Sequence, residues 1–180
     1  VKYLSADPAG AENGQVWYNS TTGKLRIDGV TVASAWSAGS AMAAAKSQGV
    51  STQTSPAATG LAGGGGPGML NSTYEYDGTD WSTGGTMNVA RYGVIGNGTA
   101  TAVLAVGGLA TPSFVYQTVA ESYNGSSWAV EAVYPAPIAF AMAAGIESAM
   151  VVTGGYNYLL APSYGGRTVI TNEYNGSSWT

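Results

Sequence analysis

Ten carboxylates, with no histidine and no cysteine, set the chemical repertoire of this 180-residue chain. Without those two residue types the common transition-metal ligands, the thiol nucleophile and the usual general base near neutral pH are missing. Hydrolytic chemistry would then fall to a carboxylate pair, as in glycoside cleavage. Asp28 and Asp77 precede a glycine in a slot that Asn124 and Asn175 occupy elsewhere. A turn tolerates exchange of Asp for Asn and a catalytic acid does not, so both read as turn residues. Glu75 and Glu173 precede a recurrent Tyr, but Ser122 stands there in the middle copy, so they read as solvated strand residues. Asp7 and Glu12 have no partner at a telling spacing. Serines are plentiful, yet with no His and no Ser-x-x-Lys arrangement none is marked as a nucleophile. Gly63-Gly64-Gly65-Gly66 lacks the Lys-Ser/Thr ending of a phosphate loop and runs into Pro67. The triplets opening at Asn71, Asn97, Asn124 and Asn175 read as turns rather than glycan acceptors. The expectation is no catalytic residue, no metal and no cofactor.

Aromatic residues on loops are the remaining candidates for a surface role. The longest loop, Tyr156 to Arg167, holds Tyr156, Tyr158, Tyr164 and Arg167 among Gly, Pro and Ser; its counterpart one repeat earlier holds Phe114 and Tyr116. Such rings can stack on sugars or anchor a protein contact, or simply pack back over the sheet.

The elements that must position these loops announce themselves by repetition. Tyr-x-Gly-x-x-Trp occurs three times, as Tyr76, Gly78 and Trp81, as Tyr123, Gly125 and Trp128, and as Tyr174, Gly176 and Trp179. With Trp36 included, the tryptophans fall 45, 47 and 51 residues apart, a period of propeller blades or solenoids. An apolar run ending in paired glycines follows each Trp: Gly63-Gly64, Gly107-Gly108 and Gly154-Gly155. The length variation lies between those glycines and the next Tyr, where a fixed scaffold can carry a loop that grows. Each unit divides into four short strands. In the second these are Ala90 to Ile95, Thr101 to Val106, Thr118 to Tyr123 and a last strand after Trp128, with Gly96-Asn97-Gly98 as a turn. Small residues dominate the first two strands and Tyr and Trp the last two, the gradient expected where inner strands crowd an axis.

Composition agrees. Only 9% of residues are charged, against about 25% in ordinary soluble domains, while 45% apolar content and 12 tyrosines oppose disorder. A net charge of −4 without a basic stripe excludes phosphate-led nucleic-acid binding. No apolar run reaches a membrane span, and no secretory signal is visible. A chain opening at Val1 and stopping one residue after Trp179 reads as a fragment or processed product.

The hydrophobic strand closed by Gly-Gly, followed by Tyr and then Trp, resembles the kelch repeat over roughly residues 36–180. The Tyr-to-Trp spacing of five is shorter than is usual there. The resemblance implies four-stranded propeller blades. The stretch Gly14 to Arg26 reads as a strand–turn–strand hairpin and is similar to a module of bacteriophage tail-fibre-like and other virion proteins. There it often leads into kelch-like repeats, whose Trp-Ser-x-Gly-Gly-x-Met-Asn-x-Ala-Arg-Tyr-Gly string Trp81 through Gly93 follows closely, with Asn88, Ala90, Arg91 and Tyr92 in place. The first copy departs at Lys46, and the third diverges throughout.

These readings combine into an all-β chain: an N-terminal hairpin module over residues 1–36 contributing part of a blade, then three repeats over about 37–81, 82–128 and 129–179. Its expected function is that of a non-enzymatic phage virion structural protein (tail fibre, appendage or capsid decoration), located on the particle surface or tail, with a role in host attachment. The alternatives are a lectin-like propeller and, more weakly, a glycan-degrading one. Expected partners are other virion proteins or further copies of the chain, with a host-surface glycan as a further candidate, and neither nucleic acid nor membrane insertion. About three and a half blades fall short of the four to eight that close a ring. The chain is therefore expected to be part of, or to complete, a larger propeller, its free sheet edges pairing with missing parts of the same chain, a second copy or a neighbouring virion protein, and residues 15–28 completing that partner's sheet.

Overall fold

The computed structural model describes residues 2–10, 15–27, 39–52, 60–65, 68–159, 163 and 165–180. The expectations for Trp36, Asp28, Glu12 and Tyr164 lie outside these residues. The chain forms two compact units, Val1–Ala38 and Gly39–Thr180. Both are β-structures, with no α-helix among the described residues.

In the first unit β2 (Val16–Asn19) and β3 (Lys24–Ile27) form the expected antiparallel hairpin, Val16 opposite Ile27. A strand not foreseen, β1 (Lys2–Leu4), pairs with β2 in parallel and covers its other edge. Spacing points to no partner for Asp7, and the fold supplies three. Its Oδ1 accepts Trp17 Nε1–H at 2.9 Å and Asn19 Nδ2–H at 2.8 Å, and Oδ2 lies 3.4 Å from Arg26 Nε. The hydrogen bonds from Asn19 and Trp17, helped by the Arg26 charge, hold its carboxyl below the usual range.

The second unit contains three antiparallel repeat sheets. The first joins β4 (Val50–Ser51), β5 (Gly60–Gly63), β6 (Thr73–Tyr76) and β7 (Trp81–Thr83) in spatial sequence. The second orders β8 (Ile95–Thr99), β9 (Ala102–Val106), β12 (Ala120–Tyr123) and β13 (Trp128–Val130) in the same way. Between β9 and β12 the longer connection folds into a two-stranded ribbon of β10 (Leu109–Ala110) and β11 (Val115–Tyr116). The third sheet has β14 (Met142–Ile146), β15 (Ala149–Thr153) and β16 (Thr171–Tyr174), and Trp179 bridges to Tyr174 where a fourth strand would begin.

Register locates equivalent residues and corrects two expectations. Gly63 still pairs with Thr73 inside β5, so the first glycine pair is Gly64-Gly65, one residue later than the spacing suggested. Gly64, Gly107 and Gly154 all have φ between 62° and 68°, and each donates its N–H to the residue four before the signature Tyr (Ser72, Val119 and Ile170). Only glycine takes that left-handed turn without strain. The first strand of the second repeat is Ile95–Thr99, not Ala90 to Ile95, and Gly96-Asn97-Gly98 lies inside it. Arg91 and Tyr92 instead bridge Leu70 and Leu109 in a crossing segment, which removes them from the sheet. Gly96 faces Val50 of the neighbouring first strand, where a Cβ would collide.

The second sheet has a leading face toward the first sheet and a trailing face toward the third, and alternation along β9 shows both. Val103 and Ala105 meet Val50, Met87, Val94, Tyr123 and Trp128 between the first and second sheets. Leu104 and Val106 meet Ile138, Met150, Val152 and Tyr174 between the second and third. Tyr134, six residues after Trp128, sits in the second junction as Met87, six after Trp81, sits in the first. The divergent third copy thus keeps a large apolar side chain at that place.

Candidate functional site

The chemistry-bearing residues gather at the junctions between sheets. Local turns come first. Asp77 Oδ1 accepts the N–H groups of Thr79 and Asp80, each at 2.8 Å, and Asn124 and Asn175 do the same for the residues two and three positions on. Gly78, Gly125 and Gly176 follow with φ of 102°, 92° and 92°. The shared slot is a side-chain-capped turn, as the Asp/Asn exchange indicated. The backbone bonds from Asp80 and Thr79 lower the Asp77 pKa.

These turns place each Tyr opposite its Trp. The ring pairs Tyr76–Trp81, Tyr123–Trp128 and Tyr174–Trp179 have centroids 5.0, 5.0 and 4.9 Å apart, tilted by 41°, 39° and 37°. Two of the three clasp the preceding sheet. Trp128 Nε1–H donates to Thr73 Oγ1 at 2.9 Å and to Gly85 O at 3.1 Å. Tyr123 Oη–H donates to Glu75 Oε1, which corrects the reading of Glu75 as a solvated residue. Trp179 Nε1–H donates to Ala132 O at 3.0 Å, and Tyr174 Oη–H to Glu131 Oε2 at 3.4 Å. Ala132 stands four residues after its Trp, as Gly85 does.

Where Ser122 replaces Glu75, the carboxylate has moved to Glu131, the residue that follows β13, and Ser122 Oγ–H donates to it at 2.6 Å. Burial, and then the facing carboxylate, raises the pKa of Tyr123 and of Tyr174. Trp81 is only half-buried while Trp128 is buried, so the two do not share an environment. Trp81 belongs to the first sheet, and no described sheet precedes it in the second unit.

A second constellation lies on the leading side of each sheet, near the glycine pairs. Arg91 and Glu121 form a fully buried ion pair, Nη2 to Oε1 at 2.8 Å. Arg91 Nη1 donates to Gly107 O and Val119 O, and Glu121 accepts from Asn88 N, Asn88 Nδ2 and Val89 N. Burial lowers the Arg91 pKa, against the opposing pull of Glu121. Lys46 holds the same place in the first repeat. Its Nζ donates to Gly64 O at 3.0 Å and Ser72 O at 2.6 Å and stands 5.4 Å from the Tyr74 ring centroid. Burial lowers its pKa.

The third repeat has Ile138 in the cation's place and Asn172 in that of Glu121, by register. There Thr168 Oγ1–H satisfies Gly154 O instead. One position has thus been filled by a cation over a ring, an ion pair and a neutral pair. Lys46 was legible as a departure from the repeat string. Glu121 was missed, and its only sequence signal is a carboxylate two residues before a signature Tyr.

The aromatic loops meet within the second unit. Tyr116 and Tyr156 have ring centroids 6.3 Å apart, and Tyr156 bridges Ala139 and Arg167. The Tyr116 hydroxyl reaches the Tyr158 backbone, and burial raises its pKa. Phe114, Tyr158, Leu159 and Arg167 are exposed around them. Beneath, Met69, Leu109 and Ala139 form a small core. The structure brings the two loops together into an aromatic platform with rings both packed and free.

Among the described residues no group of three carboxylates could hold a metal, and no helix is long and apolar enough to cross a membrane. No protein-family model matches the chain, and no curated protein matches it.

Proposed function

We propose that this chain is a non-catalytic structural protein of a bacteriophage virion, in a tail fibre, appendage or capsid decoration, and that its repeat sheets are kelch-like propeller blades. The observation that carries the reading is where the phage-like string is used. Met87 fills the junction between sheets, Asn88 ties Glu121 to Trp128 O, and Arg91 buries its charge against Glu121. The residues that carry the resemblance are spent on locking one sheet to the next, as an assembly module requires. First strands lying side by side, β8 next to β4 and to β14, support a radial arrangement.

Glycan binding is the second reading, favoured by Phe114, Tyr158 and Arg167, exposed on the two loops that meet at Tyr116 and Tyr156. Rings of that kind present flat apolar faces at low entropic cost. Mass spectrometry of gradient-purified particles of a phage that encodes the chain tests the first reading. The peptides are expected to co-sediment with infectious particles at a fixed ratio to the major capsid protein; their presence only in the cell lysate would refute it.

A further inference from the structure

The two ends of the repeat array are complementary. At the leading end, Tyr76 and Trp81 keep the ring geometry of the docked pairs, yet neither Tyr76 Oη nor Trp81 Nε1 has a hydrogen-bond partner among the described residues. At the trailing end, the third sheet repeats the acceptors of the first. Thr171 and Glu173 stand three and one residues before Tyr174, as Thr73 and Glu75 stand before Tyr76. In the first sheet those two side chains receive Trp128 Nε1–H and Tyr123 Oη–H. The second sheet, with Ala120 and Ser122 there, lacks this pair. In the third sheet Glu173 is exposed, and Thr171 Oγ1 shares one bond with Thr153 Oγ1, which leaves it acceptor capacity.

The apolar part matches as well. Met142 and Val151 occupy, by register, the places of Ile95 and Leu104, which are 3% and 0% exposed in the junction with the third sheet. Met142 is 68% exposed and Val151 38%. This is an inter-sheet surface without its sheet.

We propose that the leading face of a second copy of this chain occupies it. Tyr76 and Trp81 of one copy dock on Met142, Val151, Thr171 and Glu173 of the other, with Trp81 Nε1–H to Thr171 and Tyr76 Oη–H to Glu173. The occupant follows from continuity with the junctions inside the chain: the same two side chains clasp the same two acceptors between the first and second sheets. Such contacts are heterologous, so a pair of copies either closes on itself or grows. Two copies bring six repeat sheets together, within the roughly four to eight of closed propellers. The proposal uses the propeller part of the reading above and is independent of the virion part, because it concerns the isolated chain.

The test is light scattering on the full 180-residue chain across micromolar concentrations. The expected mass is twice 18.1 kDa. Met142→Glu places a charge at a solvent-exposed site, so the folded chain tolerates it, but in the junction it falls where Ile95 is buried; the mass should halve. Trp81→Ala should halve it too, with an unchanged far-ultraviolet circular dichroism spectrum and a cooperative thermal transition of each monomeric variant as the folding control. Mixing the two variants leaves one intact junction, Trp81 of one against Met142 of the other, and should restore the two-copy mass. A wild-type chain that is monomeric throughout overturns the proposal. So does a Met142→Glu chain that stays paired, and so does pairing lost in Met142→Glu but kept in Trp81→Ala, which would place two trailing faces against each other.

Discussion

Glu121→Gln is the sharpest probe of the buried ion pair. The substitution preserves shape but removes the charge that Arg91 needs, and Glu121 and Arg91 are both inaccessible to water. Its carboxylate also accepts Asn88 N at 2.7 Å and Asn88 Nδ2 at 2.8 Å. An amide oxygen can still accept from Arg91 or from Asn88, but its NH2 group faces the remaining donors and it leaves the guanidinium charge uncompensated. Leaving one member of a buried pair uncompensated costs about 3–5 kcal/mol, a large share of the roughly 5–15 kcal/mol that stabilises a domain.

For a chain of this length that lowers the melting midpoint by roughly 6–20 °C. The third repeat supplies the companion experiment, since Ile138 and Asn172 fill the same two places without charge. Arg91→Ile with Glu121→Asn should therefore lose about 2 kcal/mol less than the sum of its single changes, measured by urea titration as a double-mutant cycle. A Glu121→Gln loss below about 1 kcal/mol, or additivity within experimental error, would refute the idea that burial makes this pair interdependent.

Trp128→Ala should cost about 3–5 kcal/mol in urea melts, from the cavity it leaves, while Trp81→Ala should cost less than about 2 in the monomeric chain because its ring is half exposed; equal losses would contradict the end-of-array placement. Tyr134 is fully buried with its hydroxyl unpaired among the described residues, and burial pushes its pKa up to about 12. The unfolded chain then releases this proton near pH 10 while the folded chain retains it, so stability is complete below pH 10. It should fall by about 1.4 kcal/mol per pH unit from 10 toward 12; Tyr134→Phe should lessen that fall and, with no orphaned hydroxyl, not destabilise at pH 7. If the aromatic platform binds glycans, Phe114→Ala with Tyr158→Ala should abolish retention on a glycan array without changing the melting midpoint. Retention that survives both changes would remove these loops from consideration.

Periodicity alone determined the repeat unit, its all-β character, its Asp/Asn-Gly turns and the place of its variable loop. Those features are local: Asn124 caps its own turn, Gly107 bends its own strand end, and a spacing of five sets Tyr123 opposite Trp128. Tertiary structure decided the rest, because the contacts that matter join residues 30 to 55 positions apart, Arg91 with Glu121 and Trp128 with Thr73. A repeat count treats Trp81 and Trp128 alike; only stacking puts one inside the array and the other at its end. Likewise Glu75 and Glu131 look unrelated along the chain, yet both face a tyrosine hydroxyl across a junction. The tyrosine requires an acceptor within reach and is indifferent to which segment supplies it, so the carboxylate could move from a strand to the residue after its neighbour while the junction remained.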